Sequence, residues 1–280
     1  MRRLGALLVA LVLVGGAILA RRALDGEPVL SAGGDQPVWC EPALELACVD
    51  AYGDRVELVT PGSVADRIAA GEELDGLWVT SPAWFAAAES TGSRTEVSST
   101  SGPIVHSSLV ILATAATAAD CDEQVSLVCL ADPGRRLDLG LDPRSTSVGL
   151  ESYGWFVAAE LGRAGFATND LGGDLATWRR SFDATVDTAS VASPAYAVFL
   201  ARRGTYDAVV TSSAALASLG RDVEGTTTTE ATTQAAVAAL GSARLERVDD
   251  LTDALVGAGW SEGPGPDIER PSPAVLLALR

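Results

Sequence analysis

The chain has no lysine and only one histidine among 280 residues. Each scarcity removes a class of chemistry. Without lysine there is neither a Schiff-base nitrogen nor a P-loop, and no G-x-G-x-x-G turn follows a strand-like run. Any histidine-based triad must use His106, yet no G-x-S-x-G elbow accompanies it. His106 stands in the apolar stretch GPIVHSSLVILA, where a packed, hydrogen-bonding strand residue is expected rather than a base. The four cysteines lack C-x-x-C spacing, so with one histidine they offer no zinc site. No metal, no cofactor and no enzymatic activity are expected.

Basic charge is also scarce. Twenty arginines face 37 acidic residues, a formal net charge of -17, which is far from the clustered basic surface that nucleic acid requires. A local pocket can still hold an anion through backbone N–H groups. The acidic pairs Asp120 with Asp122 and Asp249 with Asp250 lie in polar segments and read as solvated charges. Carboxylate-dependent hydrolysis is the one catalytic class this composition leaves open.

What the chain does have begins with MRRLGALLVALVLVGGAILARR, an unbroken apolar run from Leu4 to Ala20 between arginine pairs. The run is near the lower limit for a spanning helix, and no A-x-A-like cleavage site is evident. A single-pass N-terminal membrane anchor over residues 1–24 is expected, with a cleaved signal and secretion as the alternative. Residues 23–37 are rich in Gly, Asp and Pro and read as a tether. Cys40 and Cys48 enclose seven residues, as do Cys121 and Cys129. Two local disulfides are the simplest of three connectivities, in keeping with an extracytoplasmic location.

Beyond the tether, strand-like runs (Val56–Thr60, Leu74–Thr80, Ile104–Ala113, Leu137–Leu141, Tyr206–Thr211) alternate with segments of helical period (Val64–Ala70, Ala83–Ser90, Val148–Leu161, Leu175–Ala184, Ala195–Arg203, Ala214–Leu219). That alternation predicts an α/β protein with parallel sheet. Ser63 with Asp66 fits a capping box, and Ser81-Pro82 and Ser193-Pro194 pair an N-cap with proline at the first helical position. Gly71, Gly162 and Gly204 stand where helices stop. GTTTTEATTQ fits either an exposed connection or an extended strand; a helix is expected over Asp249–Val256 and a last one in RPSPAVLLALR, packed against the first lobe.

Hydroxyls recur near the predicted strand ends: Ser63, Ser81, Ser107, Ser108, Ser145, Thr146, Ser147, Thr211 and Ser212. Ligands of open α/β sheets bind beyond the carboxyl ends of strands, although serine is also the default helix cap.

Four stretches, in this order, carry a resemblance. ELVTPGSVADRIAAGEELDGLWVTSPAW gives strand, serine turn, helix, glycine and an aspartate-led strand; GPIVHSSLVILAT gives a long strand; LDLGLDPRSTSVGLESYGWFVAAEL gives an Asp-Pro turn before a long helix; GTYDAVVTSSAALA gives a returning strand. Together they resemble the type 2 periplasmic binding-protein superfamily, the extracellular solute-binding proteins that include molybdate-binding proteins. The resemblance implies two α/β lobes that close over a ligand cleft, with residues 25–105 and 211–280 in lobe 1 and 106–210 in lobe 2. By position, Ser63, Ser81, Ser107, Ser145, Thr146, Ser147 and Thr211 would line that cleft. The first strand departs from the pattern, as QPVWCEPALELACVDAYG, and Arg144 is the only basic residue at the expected ligand turns. The implied function is a membrane-tethered receptor for a small polar or anionic solute, serving a transporter permease or a sensor. The alternative is an envelope interaction module that kept the bilobal fold without a ligand.

Overall fold

A computed structural model describes residues 36–90, 95–187, 195–201, 204–220, 223 and 225–279. The expected anchor over 1–24, most of the tether and the Ser193-Pro194 helix start lie outside the described residues. No helix among the described residues is long and apolar enough to cross a membrane.

The folded part opens with β1 (Val38–Cys40), wholly buried, and α1 (Glu45–Tyr52). The Cys40–Cys48 disulfide ties the end of that strand to the buried face of the helix. This is the stretch whose sequence departed from the family pattern, and it still supplies a first strand and helix. β2 (Val56–Leu58) leads to α2 (Pro61–Ala69), which buries Val64, Ala65 and Ile68. Its cap corrects an expectation. Thr60, not Ser63, is the N-cap, its hydroxyl accepting from the Ser63 N–H at 3.4 Å, because Pro61 presets the first helical φ three residues earlier.

β3 (Gly76–Thr80) is buried throughout, and α3 (Pro82–Ser90) starts as predicted, with Ser81 Oγ accepting from the Ala83 N–H at 3.3 Å. The long β4 (Val97–Ala113) is followed by α4 (Ala115–Asp120) and α5 (Leu127–Leu130), joined by the Cys121–Cys129 disulfide. Both local pairings are thus present. After β5 (Leu139–Gly140) comes α6 (Ser147–Leu161), capped by Thr146 and ended by Gly162 at φ 66°. The chain continues through α7 (Gly173–Asp183), β6 (Val186–Asp187), α8 (Ala195–Ala201), β7 (Ala208–Ser212) and α9 (Ser213–Ala217). β8 (Thr226–Leu240) resolves the threonine-rich stretch as strand. The chain then forms α10 (Val248–Gly257), β9 (Ser261–Glu262) and α11 (Pro273–Leu279). That last helix packs on α6 as well as α3, so it is not confined to the first strand group.

The strands form one mixed sheet in the order β2-β1-β3-β8-β4-β7-β5-β6, with β9 added beside β4. The expected parallel pairing holds in two flanks, β2-β1-β3 and β7-β5-β6. Between them β8 and β4 run antiparallel to each other and to their outer neighbours. β3 pairs with the C-terminal end of β8, from Ala236 to Leu240, while β7 pairs with the C-terminal end of β4, from Leu109 to Ala113. The two parallel flanks are therefore offset along the long strands. Because β3 and β7 run in opposite directions, their carboxyl ends both point toward the middle of β4 and β8.

The largest buried cluster joins Ile68, Trp78 and Trp84 from one flank to Leu150, Phe156 and Phe182 from the other. A second cluster covers the opposite face of the first flank around Val38, Leu77, Val237 and Leu251, and a third joins Val110, Val209 and Tyr206.

Candidate functional site

The facing strand ends enclose a crevice. Cys40, Gly140 and Ser212 end β1, β5 and β7, and the residues just beyond them line a cavity of about 360 Å³. Its wall draws on both flanks: Leu44, Leu46 and Thr60 from the first, Leu141, Thr146, Val148, Val210 and Thr211 from the second. Tyr196, Tyr206 and Trp260 add aromatic surface, and half of the remaining lining is Ala, Leu or Val. This size lies within the range of small-molecule sites, and an apolar wall carrying a few placed hydroxyls is their usual character.

The charges on that wall are of one sign. Glu41, Glu45 and Asp142 contribute, and no described lining residue is basic. Asp142 is engaged by its own turn, accepting through Oδ1 from the N–H groups of Arg144 at 3.2 Å and Ser145 at 3.1 Å.

Beside the cavity the two flanks meet through a buried polar network. Glu41 follows β1 and is 4% exposed. Its Oε1 accepts from the Ser147 N–H at 2.8 Å, and its Oε2 from the hydroxyls of Ser147 at 2.5 Å and Thr80 at 3.0 Å. A reciprocal contact runs the other way: Ser81, from the first flank, donates its hydroxyl to Glu151 on α6. The Ser81 N–H in turn reaches Ser147 Oγ at 3.2 Å. Each flank thus supplies one serine and one glutamate, and each glutamate is bonded by the serine opposite.

Burial sets the electrostatics. Desolvation raises the Glu41 pKa above the usual carboxylate value against the pull of its donors. Glu151 is raised to about 7, chiefly by burial, with Ser81, Thr233 and Arg270 pulling it down and the nearby Glu41 pushing it up. Ser152 Oγ and Thr232 Oγ1 are buried without a partner in hydrogen-bond geometry.

The flanks approach closely at one further point. The Gly62 N–H donates to the Ser145 carbonyl at 3.3 Å, and a Cβ on Gly62 would lie 2.1 Å from the Arg144 carbonyl oxygen. Only glycine permits that approach at the start of α2.

The sequence-predicted residues therefore separate into groups. Thr146 and Thr211 line the cavity. Ser81 and Ser147 lie in the buried network at its edge. Ser107 bonds Ser213 at 2.9 Å and accepts at 3.0 Å from the N–H of Ala214, a lining residue, without itself lining the cavity. Ser145 lies in the turn against Gly62, and Ser63 is exposed in the first turn of α2. His106 donates its Nδ1–H to the Gly263 carbonyl at 3.1 Å, the hydrogen-bonding role expected of it. The sequence pattern does not single out Glu41. For Glu151 it carries a signal, since Glu151 is one of two charged residues in SVGLESYGWFVAAEL, a helix apolar around most of its circumference, and the other, Glu160, is exposed in its last turn.

The sequence model of the bacterial extracellular solute-binding proteins matches residues 55–257. The chain belongs to this family. Solved structures agree with its fold at low identity. Iron-bound HitA from Pseudomonas aeruginosa is 17% identical with a TM-score of 0.55, over 87% of this chain and 95% of that one. The sulfate-binding protein SubI from Mycobacterium tuberculosis H37Rv is 12% identical with a TM-score of 0.51, over 82% and 87%. AgtB from A. tumefacien R10, in complex with agropinic acid, is 14% identical with a TM-score of 0.51, over 80% and 82%. A comparison with curated proteins finds no match. Membership of the solute-binding family accounts for a cavity bounded by two offset flanks and spanned by two long strands. The family's extracellular setting also accords with the two disulfides of this solute-binding protein.

Proposed function

We propose that this chain is a non-enzymatic receptor that holds a small molecule in the crevice between its flanks, with the β2-β1-β3 flank in one lobe and the β7-β5-β6 flank in the other. The observation that carries the proposal is the 360 Å³ cavity at the facing carboxyl ends of β1, β5 and β7, walled from both sides. Hinge closure about the mid-regions of β4 and β8 would then couple ligand to the relative position of the lobes.

The lining narrows the ligand. Three acidic residues and no described base disfavour an anion, and the apolar and aromatic wall favours a neutral or positively charged molecule with an apolar body. Thr211 supplies a hydroxyl to orient it, whereas that of Thr146 donates to the Asp142 carbonyl at 2.9 Å and caps α6. Residues 1–24 would tether the receptor to the outer face of the membrane, where it would pass ligand to a permease or report its presence.

The test is a ligand panel read by thermal shift on the exported full chain. Saturable stabilisation by a neutral or cationic compound, lost in Val148→Trp, supports the receptor. A second reading, the envelope interaction module, is favoured by the Glu–Ser contacts that join the flanks directly. Silence across the panel together with capture of a defined envelope partner would select it.

A further inference from the structure

The receptor reading counts Glu41 only as a charge on the wall and leaves its hydrogen bonds unused. We infer that Glu41 is a built-in anion, filling the anion-receptive position at the N-terminus of α6 and so making the crevice refuse oxyanions.

The geometry is that of a bound carboxylate. Helix α6 runs for 15 residues, and its first N–H, that of Ser147, points at Glu41 Oε1 at 2.8 Å. Such a helix end carries a partial positive charge and an unpaired donor. Two hydroxyls, from Ser147 at 2.5 Å and Thr80 at 3.0 Å, complete the set on Oε2. The donors come from both flanks, as they would for a ligand clasped between lobes. The anion comes from the chain itself, and it is 4% exposed.

A free oxyanion would need these same donors. To take them it would have to expel Glu41, and the expelled carboxylate would remain in a crevice that already holds Glu45 and Asp142 and has Glu151 nearby. No described lining residue offers a compensating positive charge. Exclusion is therefore both steric and electrostatic.

This inference rests on the crevice being the ligand site for its consequence in selecting ligands. Its own test is chemical rescue. Full-length wild type, Glu41→Ala and Glu41→Gln are titrated with formate, acetate and sulfate, against chloride at equal ionic strength, and unfolding midpoints are recorded. Wild type and Glu41→Gln should show no saturable shift beyond that of chloride, because the position is filled. Glu41→Ala should melt several degrees lower, and formate or acetate should restore at least half of that loss with saturation. Saturable stabilisation of wild type by any of the three anions, or a Glu41→Ala protein that responds to none of them, would overturn the inference. If Glu41→Ala folds poorly, the anions are supplied during refolding; yield restored by formate or acetate supports the inference, and yield unchanged contradicts it. Rescue with a silent neutral-ligand panel would count against the crevice as receptor site alone, and ligand binding without rescue against Glu41 alone.

Discussion

Ser147, the first residue of α6, donates its hydroxyl at 2.5 Å to Glu41, a residue 106 positions earlier in the chain. With Ser81 bonded to Glu151 in the opposite sense, the two strand flanks are joined at the crevice by a pair of crossed serine–glutamate contacts. Ser81, after β3, and Ser147, at the start of α6, each bond the glutamate of the opposite flank, and the cavity lies beside them.

Ser147→Ala removes one of three donors to Glu41 while leaving the backbone N–H in place. A hydrogen bond to a buried carboxylate contributes about 1.5–3 kcal/mol. Urea unfolding should show a stability loss of that order with an unchanged m-value, whereas Ser63→Ala, at an exposed position, should change stability by less than about 0.5 kcal/mol.

Stability should fall as pH rises from about 4.5 to about 7. Glu151 is raised from 4.5 to about 7, so across that window the folded state binds more protons than the unfolded one, and raising the pH favours unfolding. Glu41 is shifted in the same direction and adds to the trend, while Arg270 opposes it. The Glu151 contribution is on the order of 3 kcal/mol. Glu151→Gln should flatten the profile of unfolding midpoint against pH; a profile as steep as that of wild type would show that the slope arises elsewhere.

Gly62→Ala places a methyl group 2.1 Å from the Arg144 carbonyl oxygen; the methyl position is fixed by the backbone and the oxygen is a backbone atom, so neither can turn aside. The turn must separate from the β5–α6 loop, losing the Gly62–Ser145 hydrogen bond. A destabilisation of about 1–3 kcal/mol is expected, together with a larger radius of gyration by solution scattering if the flanks part there.

Replacing Cys40 and Cys48 together by serine releases the end of β1 from α1. The closed loop is short, so the loss should be about 2–3 kcal/mol by the chain-entropy account. Glu41 follows Cys40 directly, so the same variant should also weaken refusal of formate and acetate, which the midpoint titration reads.

The alternation of apolar and helical segments made most elements legible, because each is stated locally: Ser81-Pro82 opens α3, Thr146 precedes α6, and Gly162 ends it. The cap of α2 was misplaced by three residues because Ser63 and Asp66 have capping-box spacing, while Thr60-Pro61 holds the stronger local geometry. The threonine run was ambiguous because β8 alternates exposed and half-buried threonines at its start, and its register is fixed by pairing with β4, more than a hundred residues away. The polar centre was half legible. Ser81 and Ser147 were marked by their turns, but Glu41 lies between a disulfide cysteine and a proline, where no period marks it as buried, and only the approach of α6 gives it partners.

The most direct test of the receptor account is native mass spectrometry of the exported full-length protein, wild type beside Val148→Trp. The account predicts a co-purifying neutral or positively charged small molecule of apolar body on wild type that is absent from the variant. An oxyanion adduct retained equally by both proteins would contradict it.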